Sequence, residues 1–434
     1  MLDSARNGGY TEAMARATTP SPTTIAAAGV AFALGGCSDR AGDAPVPGGW
    51  VEGRRGMWTV ERVGPGTSIG ELGYAPGVGP ADEGAATGVT VHDPERARPG
   101  WNLYSSGHGS EAVLMDMDGE VAHRWRLDYA SIPGAPPLDG ASQDCWRRVR
   151  LLDDGSLLAL WGGRGLTCVD RDSRLVWHFP ERAHHDLEVL ADGRILVLTR
   201  EERRVPAVND RDVIDDLVVE LSPAGEVLSR TSLLEALVAS AWGARHLVGR
   251  GLVGDVLHVN SLRVLDGADA GRHRAFAAGS WLLCAREPNL LFVVDPARPK
   301  ATWTLQGPWI DPHDPRPVGD GRLLLFDNLG GGASGGEASR LVEVDVGSHR
   351  IVWEWRADPP GSFFSRFCGA AARLENGNTL VTETGAGRAF ELAPDRTRVW
   401  EFRTPHRAGE HGELIAALFE IERVDVSRLA WLDR

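Results

Sequence analysis

Four of the thirteen histidines stand where their chemistry could be pooled: His184, His185, His258 and His313. His185 and His313 each precede the glycine of an Asp-Gly turn, Gly193 and Gly321, by eight residues, and so stand at one height if the two hairpins share a geometry. His258 opens the corresponding strand of the unit between them. Residues equidistant from a hairpin turn face each other. That count sets Arg200 opposite His185 and Asn328 opposite His313, and brings Arg286 back to the height of His258. Asn260 shares the face of His258, while His184, next to His185, points to the opposite face because strand residues alternate. Neutral imidazole acts as a nucleophile or base near pH 7, and the planar guanidinium fork fits oxyanions. The set therefore suits a sulfate, phosphate or carboxylate group. One such histidine would be a strand cap; three at one height on successive units ask for another explanation. The other nine read as surface residues: His123, His178, His349 and His406 in or after hairpins, and His92, His108, His246, His273 and His411 in loops.

What must hold these side chains is a repeat. An apolar strand, an Asp-Gly or Asn-Gly turn and a second apolar strand recur at Arg150–Leu160, Leu187–Leu198, Arg316–Phe326 and Ala372–Thr384. Asp-Gly and Asn-Gly predict type I′ turns, whose two central residues need positive φ. A second hairpin, closing on or near tryptophan or another aromatic in all but Val218–Ser229, follows in six copies: Val113–Trp125, Thr167–Phe179, Val218–Ser229, Phe292–Leu305, Leu341–Trp355 and Ala389–Phe402. Two hairpins make a four-stranded propeller blade. The blades are expected at about 102–128, 146–179, 184–232, 255–307, 313–355 and 369–402, blade four carrying a long turn at 266–279. The first copy is short, and Ile415–Val424 supplies its missing strand. The expected fold is thus all-β, a six-bladed β-propeller with four-stranded blades closed by a C-terminal strand, rather than a sandwich or a solenoid. Helical periodicity is confined to Ser232–Ala244. The propeller domain is placed at residues 89–426.

The net charge of −14, from 60 acidic and 46 basic residues, lacks the basic footprint that nucleic acid needs as a partner. No apolar run reaches the roughly 18 residues of a membrane span. Residues 1–37 read as a signal-like leader, with a disordered apolar leader as the alternative: Thr24–Gly36 is small and apolar, Arg6 and Arg16 lie upstream, and Leu34-Gly35-Gly36-Cys37 resembles a lipoprotein cleavage site. Met14 is an alternative start. Export to the periplasm, or membrane attachment through a lipid at Cys37, is expected. Residues 38–88, rich in Gly, Pro, Ala and Asp, read as a flexible tether. Cys145, Cys168, Cys284 and Cys368 are widely spaced without a CxxC pair and read as buried free thiols.

In order and content these motifs resemble the arylsulfotransferase family. The resemblance rests on His184-His185-Asp186-Leu187-Glu188-Val189 with Asp192-Gly193, His258-Val259-Asn260-Ser261-Leu262, Arg286, and His313 followed by Gly321–Asn328. Arg373–Val381, Gly387–Glu391, Gly88–Asp93 and Gly100–Gly107 fit as well, so the match runs over roughly residues 88–425. It implies a six-bladed, exported bacterial enzyme that moves a sulfuryl group from an aryl sulfate donor to a phenolic acceptor with no PAPS-type nucleotide and no cofactor. By that resemblance His313 is the transiently sulfated nucleophile. His258, Asn260 and Arg286 hold the sulfuryl oxygens, and His185, or else His184, moves the phenolic proton. Asp314 departs from the pattern and stands to alter the charge of His313. Two other readings are compatible with the residues: a non-catalytic propeller that binds an anion or a partner protein, and a lyase or hydrolase using His184, His185, His258 and His313 as metal ligands. The sequence leaves the donor, the acceptor and the oligomeric state open.

Overall fold

Six antiparallel sheets arranged as blades account for nearly all the regular structure of this computed structural model, which describes Gly84 and residues 86–136, 144–331, 337–409 and 411–432, with the backbone of the short strands Val51–Glu52, Trp58–Thr59 and Gly77–Pro80. The expected leader, Cys37 and most of the tether lie outside the described residues. Gly77–Pro80, at the end of that tether, pairs with Leu414–Ala416.

Blades two to six each run outward from an innermost strand that begins at one rim of the ring: Trp146–Leu151, Ala183–Val189, Val259–Val264, Pro312–Gly319 and Ala370–Arg373. Blade one is assembled from both ends of the domain. Its innermost strand is Leu418–Val424, paired with Trp101–Ser106, and Glu111–Met115 and Val121–Arg126 follow outward. This is the expected closure. A second clasp was not anticipated: Gly88–His92 adds a fifth, outermost strand to blade six, against Arg398–Arg403.

A blade is apolar on both faces and must bury them against its neighbours. Six apolar clusters result, one at each blade–blade seam, including Tyr104, Val113, Trp400 and Phe402 between blades six and one. The outer-strand tryptophans serve these seams. Trp125, Trp177 and Trp400 donate Nε1–H to carbonyls of a neighbouring blade, at Gly155, Pro223 and Met117. The helical segment of blade three divides into Leu233–Val238 and Ala241–His246, because Ser232 and Ser240 each cap a new helix with the side-chain oxygen.

The turns differ from expectation in a way that moves the register. Only Asp320-Gly321 has two positive φ angles, 55° and 71°. At Asp154-Gly155, Asp192-Gly193 and Asn376-Gly377 only the glycine is left-handed, and the residue three before it bonds across the turn, as in Leu190 N–H to Arg194 O at 2.8 Å. These are type I turns with a glycine bulge, one residue longer than a type I′ loop. Arg200 consequently bonds to Arg182 O and does not face His185. In blade five two bulges set His313 opposite Phe326 and not Asn328.

Candidate active site

Bulges decide which side chains reach the rim. In five blades a register shift follows the first ladder pair of the innermost strand, or the second in blade five, leaving Arg147, His184–Asp186, Asn260, Asp314–Pro315 and Phe419 unpaired. An unpaired residue in a bulge bends the strand and re-aims its side chain. His185, His258, Asp314 and Cys368 carry φ between 51° and 57°, a conformation uncommon for residues other than glycine. Strict alternation fails here, so the expectation that His184 points away from His185 is corrected. Their Nδ1 atoms meet at 2.8 Å, with the rings edge to face.

The structure thus gathers His184, His185, His258, Asn260, His313, Arg200, Arg286 and Asn328 at one rim. His185 packs on His258 with ring centroids 4.9 Å apart. Asn260 Nδ2 donates to Pro312 O at 2.8 Å, joining blade four to the residue before His313. Arg286 N–H bonds to His258 O, so that the expected return of this strand to the height of His258 is observed. Arg286 also contacts Glu287, and Arg200 lies 3.8 Å from Asp255. All the histidines of this group are buried.

His313 is held in one tautomer. Its Nδ1 lies 3.0 Å from Asp311 O and 2.9 Å from Asn328 Oδ1. Asn328 spends its amide hydrogens on Ser365 O and Cys368 O, both at 2.7 Å, which fixes its oxygen toward His313. Two acceptors at Nδ1 demand a proton there, so Nε2 carries the lone pair. Burial, helped by Arg286 and Arg147, lowers the imidazole pKa to about 3. The expected influence of Asp314 on His313 is not found: Asp314 is spent on Arg263 and Arg316, at 2.7 and 2.8 Å.

His258 is oriented in the same way by a residue the sequence did not single out. Asp255 accepts from His258 N–H at 3.0 Å and lies 2.6 Å from Nδ1. Burial and Arg286 lower the His258 pKa to about 4 against the pull of Asp255. Burial lowers His185 and His184 well below the usual imidazole range, His258 adding to the first effect and Arg200 to the second. Behind them Asp216 accepts from Val259 N–H at 2.8 Å and lies 3.1 Å from His184 Nε2; burial and the nearby Asp255 raise its pKa to about 7.

Arg147, eight residues before Gly155 as His185 is before Gly193, stands at the rim height that this count gives, and the ion-paired layer beneath it was not legible in advance. Arg147 donates to Cys368 Sγ at 2.9 Å and lies over the Phe419 ring, where Cys145, Ala417 and Phe419 form an apolar patch at the mouth. Below the rim, Arg148, Arg150, Arg263 and Arg316 interlock with Asp186, Glu188, Asp314 and Glu420 across the channel. Burial opposes ionisation of Asp186 and Glu420, but the arginines outweigh it and hold both below the usual carboxylate range. Beyond this layer, toward the other mouth, lies a cavity of about 300 Å³ lined by Arg150, Glu188, Arg263, Arg316, Glu420 and Arg428 among others. The rim site is therefore a cup floored by ion pairs.

Cys145, Cys168, Cys284 and Cys368 are buried free thiols, as expected. Among the described residues, the His/Cys/Asp/Glu group with ligand atoms mutually within 4.8 Å is His108, Glu111 and His406 at the seam of blades six and one, and not the rim histidines. There the two imidazoles stack in parallel at 3.6 Å, so their nitrogens do not converge on one point.

The family described as Arylsulfotransferase (ASST) matches residues 148–405. No curated protein matches the chain. Among solved structures it is similar to a protein of unknown function from Bacteroides caccae, with 16% identity, TM-score 0.49, and 75% of this chain and 98% of that one covered. It is also similar to a streptogramin B lyase (12% identity, TM-score 0.42, 80% and 94% covered). A third likeness is to the Cps50 (Swd1) β-propeller domain of Myceliophteria thermophila (12% identity, TM-score 0.44, 76% and 90% covered).

Proposed function

We propose, from the premise that this chain belongs to the arylsulfotransferase family, that it carries a sulfuryl group from an aryl sulfate to a phenol by way of His313. The observation that supports this most is the fixed tautomer of His313: Nδ1–H is tied to two acceptors, and Nε2 stays unprotonated and nucleophilic down to acid pH.

In the first half-reaction Nε2 of His313 attacks sulfur. The N–S bond forms, the S–O bond to the aryl group breaks, and the phenolate oxygen leaves with that electron pair and receives a proton from His185. In the second half-reaction the acceptor phenol gives its proton to His185 while its oxygen attacks sulfur. The N–S electron pair returns to His313. Arg286 and Asn260 hold the sulfuryl oxygens, in a site where fixed donors act with little reorganisation. His258 joins them once protonated: its Nδ1–H faces Asp255, so in the free protein Nε2 is an acceptor. An arriving sulfate ester raises its pKa, and binding draws a proton onto it. The patch of Cys145, Ala417 and Phe419, beside Arg147, is available to an aryl ring. Export, with a lipid at Cys37, remains part of the proposal and is checked by lipid labelling of Cys37→Ala beside the unaltered chain.

The test is incubation with 4-nitrophenyl sulfate and phenol, following nitrophenol release and intact mass, beside His313→Ala. Phenol-dependent release with a transient sulfate-sized adduct, both absent in the variant, supports the reading. Release and adduct that persist in His313→Ala remove His313 as the nucleophile. A folded protein that binds sulfate esters and turns over none of a donor panel is an anion-binding propeller, and activity lost only on chelation indicates the lyase or hydrolase chemistry.

A further inference from the structure

Beyond the reacting group, a chain of imidazoles runs from the cup into the wall of blade three. His185 Nδ1 and His184 Nδ1 are 2.8 Å apart, and His184 Nε2 is 3.1 Å from Asp216 Oδ1. His184 and Asp216 have no solvent exposure; these last two atoms lie within hydrogen-bonding distance but are not aligned as a hydrogen bond, and His184 also meets a backbone acceptor at Thr199. Asp216 Oδ2 is already committed to Val259 N–H, which fixes Oδ1 toward the histidines.

We infer that His184 and Asp216 form a proton relay that switches His185 between acid and base by exchanging tautomers. The inference rests on the sulfotransferase reading of the rim. Two nitrogens facing each other can share only one hydrogen, so the states of the three groups are locked together. With Asp216 protonated, its hydroxyl donates to His184 Nε2, His184 Nδ1–H donates to His185 Nδ1, and His185 presents Nε2–H to the cup. With Asp216 ionised, every donor reverses, and His185 presents a bare Nε2. Departure of the first phenolate takes the hydrogen from His185 Nε2, while one hydrogen passes from His184 to His185 and another from Asp216 to His184. Deprotonation of the acceptor runs the same transfers backwards, so the proton that left Asp216 returns to it and each imidazole ends neutral. Neither His184 nor His185 passes through an imidazolium, a form that burial, with Arg147 and Arg200, disfavours at both. The other charged groups bearing on the relay are Asp255, which opposes ionisation of Asp216, and Arg200 and His258, which favour it. Burial, the largest effect, together with these charges sets Asp216 where both of its forms are populated near neutral pH.

Asp216 acts through His185, so its role is one of positioning and storing a proton, and a leaving-group comparison isolates it. A 4-nitrophenolate departs without protonation, whereas phenolate is about as basic as tyrosinate, with a pKa of about 10, and needs the proton. In single-turnover sulfation of the full chain, Asp216→Asn is expected to slow phenyl sulfate by about 100-fold more than 4-nitrophenyl sulfate, the lower end of what general acid catalysis supplies. His184→Gln is expected to give the same split. Equal losses with the two donors, or no loss with either, overturn the relay. Circular dichroism establishes that each variant is folded, and if Asp216→Asn is not, His184→Gln carries the test. If the unaltered chain itself forms no sulfated His313, it is the sulfotransferase reading that fails.

Discussion

Lowering the pH from 7 to 5 distinguishes a buried, neutral His313 from an ordinary imidazole. An imidazole with a pKa of about 6.5 is unprotonated in about three-quarters of molecules at pH 7 and in about 3% at pH 5, a loss of about 25-fold in nucleophile. With its pKa near 3, His313 remains essentially all neutral across that interval. The rate of the 4-nitrophenyl sulfate burst at saturating donor, where the proton taken up through His258 on binding is already in place, is therefore expected to stay level from pH 7 to 5. That donor is chosen because its leaving group needs no proton, so the titrations of His185 and Asp216 do not enter. Fold stability moves in the same interval and has to be followed in parallel. The unfolded histidines bind protons below about pH 6.5 and the folded ones do not, so stability is full above that pH and declines as the pH falls toward the folded values near 3 and 4. By pH 5 His313 and His258 each cost about 2 kcal/mol relative to neutral pH. Urea denaturation monitored by circular dichroism shows whether the burst is being read on folded protein. A one-proton fall in the burst rate with a midpoint near pH 6.5, on folded protein, would refute the assignment of His313 as a desolvated nucleophile with Nδ1–H fixed by Asn328 and Asp311.

Three more outcomes are expected. Arg286→Ala removes a donor to the sulfuryl oxygens and should lower kcat/KM for the donor by about 100- to 1000-fold in steady-state nitrophenol release. Binding of a sulfate monoester at pH 7 should take up close to one proton through His258, read by calorimetry in two buffers of different ionisation enthalpy, and Asp255→Asn, which removes the carboxylate 2.6 Å from His258 Nδ1, should abolish that uptake. Glu420→Gln leaves Arg148, Arg150 and Arg316 short of a buried counter-charge and should cost about 3–5 kcal/mol in urea denaturation.

The blade count, the closing strand and the set of histidines were legible because each is a period or a spacing. Six copies of the second hairpin need six seams, and the seams are there. The register across the inner hairpins was not legible. An Asp-Gly pair is compatible with a type I′ turn or with a type I turn and glycine bulge, and only the packing of the particular blade selects between them. That one residue of difference removed Arg200 from opposite His185. His313 and Asn328 meet nonetheless, through their side chains, because the bulges re-aim the backbone that the simple count assumed regular. Asp255, Asp216 and the ion-paired floor were missed for a related reason. They are single charged residues in strands of different blades, with no local pattern to mark them, and they acquire meaning only where the ring brings blades one to five around one axis.

The amino-acid sequence by itself determined that this chain builds a six-unit ring and which imidazoles and guanidiniums stand near its rim, since periodicity and turn residues are properties of neighbours along the chain. The tertiary structure alone decided which nitrogen of each histidine holds the hydrogen, and hence which can attack, donate or relay. Those choices depend on acceptors such as Asn328 and Asp216, which local bulges and the neighbouring strands of each blade, rather than adjacency in the chain, carry to within hydrogen-bonding distance in a desolvated interior.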